Sequence, residues 1–137
     1  MEMCVYEMRD QPVRSRDDNS QEEKCMSEVY GVIRKLGATS KYKGYYYIAD
    51  AVEMAGEIRE RPVKVTKDIY PIIARKYRST PSNVEHNIRT LVNLCWTNHK
   101  DVLEEMAGCT MADKPTNSEF IDILVYYLQH LDRKMNQ

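Results

Sequence analysis

The spacing of apolar residues constrains this chain most: from Gln21 onward they recur at threes and fours. That interval lines one face of an α-helix, whereas a strand alternates with a period of two. Met26, Val29, Tyr30, Ile33 and Leu36 form the first stripe, which Gly37 stops. A second helix follows Gly44, carries Tyr45, Ile48, Ala51, Val52, Ala55 and Ile58 inward, and ends before Pro62. A third runs from a Thr66 cap to Tyr77, with Ile69, Ile72, Ile73 and Tyr77 on one face and Pro71 tolerated as a bend near its first turn. The fourth opens with Thr80 as N-cap and Pro81 as its first residue, and its stripe is Val84, Ile88, Leu91 and Cys95. A short helix over Val102–Met106 ends at Gly108. The sixth opens on the capping box Thr116-Asn117-Ser118-Glu119 and buries Phe120, Ile123, Leu124, Tyr127, Leu128 and Leu131. The expected fold is all-α, a six-helix bundle with no convincing strand.

A chain of 137 residues can bury a core without disulfides or metals. Residues 1–24 lack apolar periodicity and alternate in charge, so a disordered or loosely attached tail is expected there, with one helical domain over 25–137. No apolar run approaches the roughly 18 residues of a membrane span, and the polar N-terminus is no signal peptide. A cytoplasmic protein without a membrane partner is the expectation. Cys4, Cys25, Cys95 and Cys109 are scattered, with no C-x-x-C pair and no nearby His, which fits reduced thiols and no metal site. Cys95 sits on the apolar stripe as a small core hydrophobe. There is no Gly-rich phosphate loop, no H-E-x-x-H and no nucleophile–base spacing, and His86, His99 and His130 lie apart. Neither catalysis nor a cofactor is expected.

The formal net charge of -1 hides an uneven distribution. Residues 1–33 hold four Lys/Arg against eight Asp/Glu, residues 34–89 twelve against six, and residues 90–137 four against seven. The chain is thus acidic at both ends (-4 and -3) and basic in the middle (+6). A basic segment of this kind is an electrostatic footprint for phosphate, and it is equally what a solvated helical surface looks like. Within it, the third and fourth helices are joined only by Arg78-Ser79-Thr80, a helix-turn-helix spacing. Ala74, small, and Val84, aliphatic, stand ten apart where the helices must approach, flanked by Ile73 and Ile88. The turn lacks the Gly often found there. Rotating the fourth helix by about 100° per residue sets His86, Arg89, Thr90, Asn93 and Thr97 opposite its apolar stripe, with Asn83 and Glu85 flanking them. These side chains have base-edge chemistry: Arg for guanine, Asn for adenine, Glu for cytosine. Asn83, Glu85, His86, Arg89 and Thr90 are the candidate base readers. Lys67, Arg75, Lys76, Arg78 and Ser82, with Lys64 close by, are the candidate contacts to the DNA backbone. The same pattern also suits a solvent-exposed Glu85–Arg89 pair at i, i+4.

Several longer stretches carry a family resemblance: Lys43-Gly44-Tyr45-Tyr46-Tyr47-Ile48 with Ala51-Val52, and Ile69-Tyr70-Pro71-Ile72-Ile73-Ala74-Arg75-Lys76-Tyr77. Thr80-Pro81-Ser82-Asn83-Val84-Glu85, Ile88-Arg89, Trp96 and Lys114-Pro115-Thr116-Asn117-Ser118-Glu119-Phe120-Ile121 continue it in order over about residues 25–131. The chain resembles the C-terminal effector domain of the stage-zero sporulation response-regulator transcription factors of endospore-forming Firmicutes. The resemblance implies a six-helix domain whose helix-turn-helix reads a short promoter box in the major groove of double-stranded DNA. It further implies homodimeric or tandem binding and contact with the RNA polymerase sigma subunit. That family carries a receiver domain ahead of the effector, and the roughly 24 residues preceding the match are too few to hold one. A regulator lacking a receiver is therefore expected, controlled by abundance or by a partner. Family members commonly have arginines where this chain has Asn83 and His86, while Glu85 and Arg89 are kept, so an altered target sequence is expected. Two functions follow: a sequence-specific DNA-binding regulator, or an adaptor that binds a regulator or RNA polymerase without specific DNA readout.

Overall fold

The computed structural model describes residues 27–58 and 63–135, with side chains to Leu131. The tail expected over 1–24, Cys4, Cys25, the first turn of the first helix and the stop at Pro62 lie outside the described residues. The described elements are six helices: α1 through residues 27–35, α2 Lys43–Glu57, α3 Tyr70–Lys76, α4 Pro81–Asn98, α5 Lys100–Ala107 and α6 Asn117–Met135. No strand occurs among the described residues.

Helix α2 is the centre of the bundle. It packs most broadly on α4 and α6, while α3 rests on α4 and α5 bridges α4 and α6. Its stripe is buried nearly throughout: Tyr45, Tyr47, Ile48, Ala49, Ala51 and Val52 all lie in the core with Val32 and Ile33 of α1 and with Leu36 just after it. Phe120, Ile121 and Leu124 of α6 close the core from the other side. Burial of this apolar area is the main stabilising term, at about 25 cal/mol per Å². Helix α2 and helix α4 meet at Gly44, where an added Cβ would lie 2.5 Å from the Asn87 carbonyl oxygen. No other residue type allows that approach without displacing α4. Gly37 ends α1 with φ +93°, and its missing side chain leaves room for the His99 ring between α4 and α5.

The approach to α3 differs from the expected Thr66-capped helix. A single π-turn spans Val65–Ile69, in which the Tyr70 N–H donates five residues back to the Val65 carbonyl. Pro71 has no N–H to hold the ordinary four-residue register, which lets this turn widen. Its opening is closed by the Asp68 carboxylate, which accepts from the Lys64 N–H at 2.9 Å; Thr66 is exposed. The face of α3 also shifts. Ile69, Tyr70, Ile73 and Ala74 are buried, whereas Ile72, expected inward, is 46% exposed. In α4 the expected stripe is buried as a whole, with Val92 added to it.

Candidate nucleic-acid interface

Helices α3 and α4 are joined through Tyr77, Arg78, Ser79 and Thr80. The turn uses a left-handed residue, as a helix followed so closely by another requires, but that residue is Arg78 at φ 55° and not glycine. Two hydrogen bonds seal it: Ser79 N–H to the Ala74 carbonyl at 2.7 Å and Arg78 N–H to the Arg75 carbonyl at 3.3 Å. Both are the closing bonds of a Schellman motif, so backbone satisfaction offsets the steric cost at Arg78. Thr80 then caps α4, its hydroxyl accepting the Asn83 N–H at 3.1 Å. Pro81 contributes no N–H, and the Ser82 N–H belongs to the first turn, which has no intrahelical acceptors and forms the positive end of the helix dipole.

Burial of Val84, Ile88, Leu91, Val92 and Cys95 fixes the rotation of α4 and turns its polar face out. Asn83, His86, Arg89, Thr90, Asn93 and Thr97 are all exposed. Arg89 lies 3.6 Å from Glu85 and its guanidinium 3.4 Å from His86 Nδ1, so the three side chains form one exposed group. The Thr90 hydroxyl donates to the His86 carbonyl at 3.0 Å, which holds it against the helix. The five candidate base readers therefore occur together on the first three turns of α4.

The candidate backbone contacts do not all gather there. Arg78 and Ser82 do, and Arg78 shares a groove with Lys43, Tyr46, Tyr47, Thr80 and Asn83. Lys67 and Arg75 line a different groove, with Met54, Glu57 and Ile72, at the far end of α2. The α2 residues that line the two grooves, Lys43, Tyr46 and Tyr47 in one and Met54 and Glu57 in the other, are centred about 15 Å apart along its axis, although Arg75 and Arg78 lie close in the chain. Lys76 is engaged otherwise: its ammonium is 3.0 Å from Asp50 Oδ2, and the Tyr77 hydroxyl donates to the same oxygen at 2.7 Å.

Four contributing residues were not singled out in the sequence for the interface. Lys43 adds a cation from α2, and Lys114, in the loop before α6, donates from its ammonium to the Asn93 side chain on the outer face of α4. Asp50 was signalled by a charge in the middle of a buried stripe, a position that demands a partner. Asn117, at the start of α6, donates to the Tyr70 hydroxyl at 2.9 Å and to the Glu85 carbonyl at 3.2 Å. It thereby ties three helices behind the Glu85–His86–Arg89 group. Burial raises the pKa of the Tyr70 phenol and so keeps it protonated, as it does more strongly for Tyr77, which also faces Asp50.

The family model for the C-terminal domain of sporulation initiation factor Spo0A matches residues 29–128. The chain belongs to this family. The match runs from α1 into α6 and takes in the whole helix-turn-helix with every candidate interface residue. Spo0A-type C-terminal domains are helical DNA-binding domains of transcription regulation and sporulation. Among the described residues no helix is long and apolar enough to cross a membrane.

Proposed function

We propose that the chain is a sequence-specific regulator of transcription that lays α4 in the major groove of double-stranded DNA. The observation that carries the proposal is the joint exposure of Asn83, His86, Arg89 and Thr90 on a helix whose opposite face is locked in the core. Arg89 takes a guanine edge or an adjacent phosphate, Glu85 accepts from cytosine, and Asn83 and His86 set the preference of neighbouring positions. Arg78, Lys43 and the Ser82 N–H hold the phosphates beside the N-terminus of α4. Lys67 and Arg75 serve a more distant stretch of backbone from the outer side of α3. Paired binding on DNA and contact with the RNA polymerase sigma subunit extend the proposal.

Selection of bound sequences from a random duplex pool tests it and also yields any half-site spacing. A single enriched box is the expected result. Arg89→Ala should lose discrimination at one base pair of that box, about 1–3 kcal/mol or roughly fivefold to 150-fold. Equal retention of all sequences by the parent protein overturns sequence-specific reading. Recovery of a protein partner, with no DNA held at low salt, favours the adaptor function instead.

A further inference from the structure

We propose that Asp50 withholds Lys76 from DNA, so that the helix-turn-helix offers one phosphate-binding charge fewer than its sequence counts. The inference rests on the DNA-binding function proposed above. Lys76 Nζ lies 3.0 Å from Asp50 Oδ2 and 5.3 Å from the centre of the Tyr77 ring. Tyr77, itself packed edge-on against Tyr47 at 5.2 Å, donates its hydroxyl to that same carboxylate oxygen. The two partners differ in exposure: the Lys76 side chain is 59% exposed and the Asp50 side chain 8%.

That asymmetry decides the competition. A DNA phosphate is well solvated and can pair with any nearby cation, whereas the Asp50 carboxylate has left water and has Lys76 as its cation. Moving Lys76 to a phosphate strips a buried anion of that cation and leaves it, among the described residues, the neutral donor Tyr77. The exchange is therefore unfavourable, although Lys76 is positioned in sequence among the residues expected to touch the backbone. Arg78 and Lys43 are under no such constraint, since neither makes an ion pair among the described residues. Asp50 is thus a positioning residue. It neutralises Lys76 and, through Tyr77, fixes the helix end from which Arg78 projects.

The salt dependence of DNA binding counts neutralised phosphates and so reads the proposal directly. The proteins to compare on the selected box are the parent, Lys76→Ala, Arg78→Ala, Asp50→Asn and the double variant Asp50→Asn/Lys76→Ala. Arg78→Ala should reduce the slope of log affinity against log salt by about 0.9, and Lys76→Ala should leave it unchanged. Asp50→Asn keeps an acceptor for Tyr77 but frees the ammonium. It should steepen the slope by about 0.9, an extra loss of about threefold between roughly 50 and roughly 200 mM salt. The double variant should return to the parent slope. If Asp50→Asn does not fold, the contrast between Lys76→Ala and Arg78→Ala decides alone. A slope lost equally in both overturns the withholding of Lys76 while leaving DNA binding intact; absence of DNA binding by the parent overturns both.

Discussion

Arg78 occupies the one position in the helix-turn-helix where chain geometry favours glycine, at φ 55°. An L-residue in the left-handed region costs about 1–2 kcal/mol, and glycine's extra freedom in the unfolded chain returns part of that difference. Arg78→Gly should therefore leave thermal stability unchanged or raise it by up to about 1 kcal/mol. The same variant should weaken DNA binding several-fold, because the turn loses its free cation. Thermal unfolding and DNA titration on one preparation check both halves. Local features of this kind differ in legibility. The Thr80 cap and the reciprocal Thr116–Glu119 box could be read directly, because both partners lie three residues apart. Asp50 could be flagged as a charge in an apolar stripe but not paired, since Lys76 and Tyr77 lie 26 and 27 residues away.

At the scale of elements, the orientation of α4 depends on helices that contribute nothing to its exposed face. Gly44 sets its distance from α2, and Asn117 ties its second turn to Tyr70 and to the start of α6. Replacing Asn117 by Ala leaves the hydroxyl of the buried Tyr70 and the Glu85 carbonyl without this donor. A stability loss of about 1–3 kcal/mol is expected in chemical denaturation. DNA affinity should fall as well, although Asn117 is not among the base readers, because the Glu85 turn is no longer held. Unchanged affinity in a destabilised variant would show that α4 is positioned by its apolar stripe alone. The stripes themselves were visible in sequence and α4 folds as they specify. The widened turn before α3 was not, because it arises from what Pro71 cannot donate, and the resulting face leaves Ile72 outside the core.

For the molecule as a whole, the buried Cys95 and the half-buried Tyr30 and Tyr77 set an alkaline limit. Burial pushes the Cys95 thiol from 9.0 up to about 12, and burial with the neighbouring Asp50 raises Tyr30 and Tyr77 well above 10.0. Above pH 9 the unfolded chain releases a Cys95 proton that the folded chain keeps, so rising pH favours unfolding. This contribution is fully present below about pH 9 and is lost as pH climbs through about 12, with the tyrosines adding from about pH 10. Denaturation midpoints should fall steadily over that window, at up to about 1.4 kcal/mol per pH unit for each group. Cys95→Ala should flatten the first part of the fall; an unchanged profile in that variant assigns the alkaline limit to the tyrosines alone. The charge pattern scales in the same way. The basic middle segment was countable from the sequence, yet the folded chain divides its cations among a groove beside α4, a second groove toward the other end of α2 and an internal pair with Asp50. The sequence by itself determined the six helices, most of their buried faces, the helix-turn-helix and the family, because spacing, caps and turn residues act within three or four positions. Tertiary structure alone decided which basic residues stand unpaired beside α4 and which is held by Asp50, which residue turns left-handed, and what holds α4 at its angle. Those outcomes depend on helix rotation and on contacts between residues 26 to 47 positions apart, where a single sequence carries no pairing information.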